Sequence, residues 1–218
     1  MSASRRLGLL GGTFDPIHLG HLDAADAARR ALQLDEIWLI PSSDPPHRRA
    51  DPLASGYHRF ALVALAIQDN DALRASDIEL TRGGPSYTID TLRAVARRGW
   101  QPSQIFFILG SDAFAEIATW REFPAVLDAA NFAVIARPGT TLDAAAARTP
   151  SLRERIGTSI FLVEARTRDV SSSAIRARLS ARQPIGDLVP AAVARYIAAH
   201  DLYGAVDDLH GQDTAITK

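Results

Sequence analysis

Between Gly11 and His21 the chain reads Gly-Gly-Thr-Phe-Asp-Pro-Ile-His-Leu-Gly-His. Two glycines directly after an apolar run permit a tight turn and let backbone N–H groups approach a ligand closely. A helix beginning near Leu19 would aim its unpaired N–H groups and partial positive charge at the same place. His18 and His21, three apart at that helix start, fall on one side of its first turn, where each imidazole can donate N–H bonds to phosphate oxygens. A zinc pair is the weaker reading, because no cysteine exists and no third ligand follows in register. A second anion cradle is spelled by Ser171-Ser172-Ser173 before another helix, with Arg176 one turn further along. Taken alone it reads equally as an N-cap with an exposed arginine. If the two helices converge, the imidazoles, hydroxyls and guanidinium surround a single polyphosphate.

Further stretches carry weaker signals. Pro45-Pro46-His47-Arg48 is a stiffened loop with two basic side chains that can meet an anion or simply be solvated. In Gly84-Pro85-Ser86-Tyr87-Thr88 the hydroxyls and first helical N–H groups suit a carboxylate, although Ser86 or Thr88 serves equally as an N-cap. Gly110-Ser111-Asp112 follows the most apolar run, and Asp112 can accept from ribose hydroxyls or cap a helix. Trp120 can stack on a flat heteroaromatic ring or belong to the core.

The elements that must position these residues follow from the hydrophobic pattern. Apolar runs at 7–10, 37–40, 105–109, 132–136 and 160–163 read as buried strands, with 74–80 a weaker, mixed strand candidate. Helical patterns cover 19–34, 57–68, 88–98, 173–182 and 191–200. Wholly apolar strands, each followed by a helix, predict an α/β fold: a doubly wound, mostly parallel sheet with a small helical C-terminal part at about 170–205. Such sheets bind ligands beyond the carboxyl ends of their strands, where 11–12, 41–48 and 110–112 fall. Residues 1–205 read as one domain and 206–218 as a disordered tail. Residues 142–155 read as either an alanine-rich helix or a mobile excursion.

Composition removes several classes. The 218 residues include no cysteine, which excludes disulfide scaffolds, thiolate metal sites and a cysteine nucleophile. Lys+Arg 24 against Asp+Glu 25 leaves a charge of −1, so a nucleic-acid partner is not expected. Lys218 is the only lysine, which removes any phosphate loop needing an interior one and leaves arginine as the strong cation for anions. No apolar run approaches the ~20 residues of a membrane span, and the start lacks the apolar core of a signal peptide. A cytoplasmic protein with no membrane partner is expected; a homo-oligomer is left open.

The run from Gly11 to His21 resembles the signature of the His-x-Gly-His nucleotidyltransferases, whose fold is Rossmann-like. Together with Pro45–Arg48, Pro85–Leu92, Gly110–Asp112, Thr119-Trp120, Arg137-Pro138-Gly139 and Val170–Arg176, it resembles one family, the bacterial nicotinate-nucleotide adenylyltransferases. The resemblance implies an enzyme of NAD biosynthesis that transfers the adenylyl group of ATP to nicotinate mononucleotide, with Mg²⁺ accompanying ATP. It implies that His18, His21 and Arg176 are catalytic. ATP would be bound by Gly11, Gly12, Thr13, Phe14, Gly20, Gly110, Asp112, Arg137, Ser172 and Ser173 together with those three. Nicotinate mononucleotide would be bound by Asp15, His47, Arg48, Ser86, Tyr87, Thr88 and Trp120. No protein metal site is implied. Two positions depart from the family pattern: Ser173 stands where threonine is usual, and Arg48 where lysine is common.

The acceptor phosphate is already an anion near neutral pH, so its attack on the α-phosphorus needs no general base. The protein must instead hold two repelling anions in line and stabilise charge on the leaving pyrophosphate. Two alternatives remain. One is the same chemistry on nicotinamide mononucleotide or another phosphorylated acceptor; the other is a nucleotide sensor without catalysis.

Overall fold

A computed structural model describes residues 5–45, 52–142 and 149–204. His47, Arg48, residues 143–148 and the tail from 206 lie outside the described residues. The strands are β1 (Leu7–Gly12), β2 (Glu36–Pro41), β3 (Leu73–Ala75), β4 (Ile105–Gly110), β5 (Asn131–Ala136) and β6 (Ile160–Glu164). They form one six-stranded sheet, ordered β3-β2-β1-β4-β5-β6, in which every pairing is parallel. The expected Rossmann-like α/β architecture is therefore present. From β1 the chain winds outward through β2 and β3, then returns to place β4 on the other side of β1. The strand order reverses at β1/β4, and the crevice beyond their carboxyl ends is where such sheets take ligands.

The helices are α1 (Leu19–Leu32), α2 (Gly56–Ala66), α3 (Ile78–Arg82), α4 (Thr88–Ala96), α5 (Ser111–Ala115), α6 (Pro150–Arg153), α7 (Ser172–Ser180) and α8 (Ala191–Ala199). Strand alternation divides the core in two. Leu10, Ile37, Leu39, Phe106 and Ile108 face Ala25 and Ala28 of α1, Leu62 and Val63 of α2, Ile175 and Leu179 of α7, and Val193 and Ile197 of α8. Leu7, Leu9, Phe107, Leu109 and Val134 face the opposite way, onto Ile89, Leu92 and Val95 of α4. The C-terminal helices thus share the core of a sheet face rather than enclosing one of their own. At Gly8 a Cβ would stand 2.8 Å from the Ile37 side chain and 2.9 Å from that of Leu34, so glycine lets β2 and the end of α1 close onto β1.

Two sequence expectations change. The strand candidate at 74–80 is a three-residue edge strand, β3, followed by α3. Its alternation ends at Asp77, whose carboxylate accepts from the Thr81 hydroxyl at 3.0 Å and favours a helical turn. Within 142–155, the described part contains the single turn α6, with Leu152 buried beneath it. Among the described residues no helix is long and apolar enough to cross a membrane.

Candidate active site

The segment between β1 and α1 is tightly folded. Phe14 is buried with a positive φ of 50°, and the edge of its ring meets the His21 ring at a centroid distance of 5.0 Å and 78°. His18 occupies the N-cap of α1 in extended conformation, and its ring stacks on that of His21 at 3.7 Å and 23°. The His18 N–H donates to His21 Nδ1 at 3.3 Å. With Nδ1 accepting, neutral His21 carries its proton on Nε2, leaving that nitrogen as a donor. Burial lowers His18 from 6.5 to about 4, partly opposed by Asp23. Burial and the neighbouring His18 lower His21 to about 3. Both imidazoles are therefore neutral at physiological pH, acting as N–H donors rather than cations.

Gly20 explains the spacing between them. A Cβ there would sit 3.1 Å from the Arg168 carbonyl and 3.2 Å from His18 Nδ1, so any side chain would press on the ring stack. Among the described residues that buried Nδ1 has no hydrogen-bond partner, and neither does the Ser42 hydroxyl beyond β2.

The far end of the chain meets this loop directly. Ser171 caps α7 by accepting from the Ala174 N–H. The Ser172 hydroxyl donates to the Pro16 carbonyl at 2.9 Å, and Arg176 Nη1 donates to the Asp15 carbonyl at 2.7 Å. The Ser173 hydroxyl is exposed and lies 3.0 Å from that of Ser171. Loop and helix, more than 150 residues apart in sequence, are thus bonded to each other.

A cavity of about 410 Å³ opens beside them at the carboxyl ends of β1, β4 and β5. Gly11, Gly20, His21, Gly110, Asp112 and Arg137 line it, so six sequence candidates for one nucleotide surround one space. Gly12, Thr13, Phe14 and His18 belong to the loop that brings His21 there, while Ser172, Ser173 and Arg176 stand behind that loop on α7. Arg137 is largely exposed, with Nη2 3.2 Å from the Asp169 carboxylate. Ser111, from the Gly110–Asp112 segment, also lines the cavity, as do Ala24 and Thr167, whose residue types gave no sequence signal.

The remaining candidates gather on the opposite sheet face. The Ser86 hydroxyl accepts from the Ser43 N–H at 2.8 Å, and the Ser86 N–H donates to the Asp44 carbonyl at 2.7 Å. This ties the start of α4 to the segment after β2. Tyr87 is the N-cap of α4 and Thr88 its first residue. The Trp120 ring meets Phe107 edge-on at 5.8 Å and 87°, and the Arg121 guanidinium lies over the Tyr87 ring at 4.6 Å. Glu79, which gave no sequence signal, is buried beneath them and accepts from the Thr91 hydroxyl. Burial raises its pKa, opposed by hydrogen bonds from Ser86 and Thr91 and by the Arg82 charge.

Asp15 belongs to the imidazole loop, and Arg176 Nη1, which bonds its carbonyl, also lies 3.9 Å from its carboxylate. Its carboxylate is buried and accepts from the Leu53 N–H at 2.9 Å, the Ala54 N–H at 3.1 Å and the Tyr203 hydroxyl at 2.8 Å.

A parallel sheet whose reversal point opens onto a cavity edged by a His-x-Gly-His helix start defines a nucleotidyltransferase. Residues 9–178 match the cytidylyltransferase-like family, and the chain belongs to it. It is 42% identical over 200 residues to the probable nicotinate-nucleotide adenylyltransferase of Symbiobacterium thermophilum, covering 91% of this chain and 95% of that one. The corresponding Bordetella petrii protein is 43% identical over 202 residues, covering 91% and 99%. Within the class, the chain is a member of the nicotinate-nucleotide adenylyltransferase family. The fold is shared with Plasmodium falciparum nicotinic acid mononucleotide adenylyltransferase complexed with NaAD, at TM-score 0.71 and 21% identity, covering 92% of this chain and 98% of that one.

Proposed function

We propose that the protein transfers the adenylyl group of ATP to nicotinate mononucleotide, giving nicotinic acid adenine dinucleotide and pyrophosphate in NAD biosynthesis. The observation that carries this reading is the pair of bonds from Ser172 and Arg176 to the loop that presents His21 beside the cavity. ATP occupies the cavity at β1/β4, with backbone N–H groups of Gly11 and Gly110 near its phosphates and Asp112 near its ribose. Neutral His21 donates from Nε2 to the α-phosphate as charge builds there, and fixed donors of this kind stabilise a transition state without reorganising. His18 holds His21 in that tautomer. Arg176 and the α7 hydroxyls secure the loop and add positive potential on the leaving-group side.

The acceptor lies across the sheet edge. The nicotinate ring stacks on Trp120, and its carboxylate meets the N–H and hydroxyl of Thr88 at the start of α4 beside Tyr87, while Ser86, already bonded to the 43–44 backbone, holds that start in place. Magnesium enters as part of the ATP substrate, held by phosphates and water. Among the described residues no group of three or more His, Asp or Glu side chains is arranged to hold a metal ion.

The test is turnover with ATP and Mg²⁺, adding the acid or the amide mononucleotide in parallel. Pyrophosphate should appear only after acceptor is added, and faster with the acid. Preference for the amide would move the substrate assignment, and ATP binding without pyrophosphate release would leave a sensor instead of an enzyme.

A further inference from the structure

The buried cluster around Asp15 contains two side chains to which the proposed chemistry gives no role. Arg59 of α2 is 2% exposed. Its Nη1 donates to the Thr13 carbonyl at 2.8 Å and its Nε to the Ala54 carbonyl at 3.1 Å. Tyr203, in the turn Leu202–Gly204, donates its hydroxyl to Asp15 Oδ1 at 2.8 Å. The Asp15 carboxylate also accepts from the 53–54 backbone, while its carbonyl accepts from Arg176. The loop that presents His18 and His21 is therefore clamped at Thr13 by Arg59, at Asp15 by Tyr203 and Arg176, and at Pro16 by Ser172. All four clamps come from elements of one sheet face, and none lines the cavity.

We infer that Arg59 and Tyr203 are positioning residues for adenylyl transfer, fixing through Thr13 and Asp15 the loop that sets the two imidazoles. A buried carboxylate accepting several donors holds a loop more rigidly than neutral bonds do, because charge-assisted bonds are shorter and stronger. The fork geometry of the Arg59 guanidinium, bonding two carbonyls of different segments, is one lysine cannot reproduce. Through Tyr203 the turn Leu202–Gly204 is part of the scaffold of the reacting loop. Burial, together with the Asp15 charge, raises the Tyr203 pKa, so its hydroxyl remains a donor.

The inference rests on the adenylyltransferase reading, and the experiment separates the two. Tyr203→Phe removes one hydroxyl and keeps the ring. Its kcat should fall about tenfold while KM for both substrates stays within about twofold, because misplacing a reacting group slows the chemistry more than it weakens binding. Val193→Ala, a core truncation in α8, supplies the control for stability alone; at equal or greater loss of Tm it should keep its kcat. Arg59→Lys should lose kcat in the same manner, with KM held. Parental kcat in Tyr203→Phe, or equal kcat losses in Tyr203→Phe and Val193→Ala, would overturn the inference. Absence of acceptor-dependent pyrophosphate release in the parent protein would instead overturn the functional reading.

Discussion

The proposed phosphate side and the proposed acceptor side of the site are built by opposite means. On the phosphate side, a buried loop is held by charged and backbone hydrogen bonds from α2, α7 and the 202–204 turn, and its two imidazoles are stacked and neutral. On the acceptor side, Tyr87 and Trp120 are half-buried, held by ring packing, with Arg121 resting on one ring face. Stabilising a transition state demands donors already in place, because reorientation during reaction would cost what the donors contribute. Recognising a flat ring demands area and tolerates small displacements, since stacking is weakly directional. The difference predicts that damage on the first side appears in kcat and damage on the second in KM.

The sharpest way to break that contrast is His21→Ala, which should lower kcat by about 10²–10³ with little change in ATP KM, as for removal of one transition-state donor. Gly20→Ala should follow. Its new Cβ presses on the Arg168 carbonyl and the His18 ring, and a loss of about tenfold or more in kcat is expected from a small shift of the loop. Trp120→Ala should raise the mononucleotide KM by about tenfold, in keeping with ~1–3 kcal/mol per stacked base, and leave ATP KM unaltered. A kcat effect confined to Trp120, or a KM effect confined to His21, would reverse the assignment of the two sides.

A smaller effect concerns pH. His18 and His21 have folded-state values of about 4 and about 3, below the ordinary 6.5. The unfolded chain therefore binds more protons than the folded one in this window. Their contribution to stability is fully present above about pH 6.5 and is lost as pH falls toward 4 and then 3. Denaturant titrations should show that His18→Asn with His21→Gln flattens the decline in stability between these limits. Because the imidazoles act while neutral, kcat should not fall with their protonation between pH 8 and pH 5.

Much of this contrast was legible in the residues. Wholly apolar runs stopped by Gly11, Pro41 and Gly110 announced buried parallel strands and their ligand edge, since only strands covered on both faces read that way. The His18/His21 spacing announced a shared helix side. The buried scaffold was not legible. Arg59 sits in a helical pattern where arginine is ordinarily a solvated residue, and nothing local marks its 2% exposure. Tyr203 meets Asp15 across 188 residues, a distance no periodicity spans. Asp15 lies inside the glycine–histidine motif, and nothing local shows that its carboxylate gathers backbone and tyrosine donors from 53–54 and Tyr203. At 74–80 a short edge strand and a capped turn share one alternating pattern, which periodicity alone cannot divide.

Adenylyl transfer as proposed requires that the imidazole loop and α7 act as a unit on one triphosphate. A double-mutant cycle on kcat measures this directly, using His21→Ala, Arg176→Met and the pair. If the two stretches act together, the double variant should be little slower than His21→Ala alone, a coupling on the order of 1–2 kcal/mol for neighbouring groups. Losses that multiply in full would show two independent sites and contradict it.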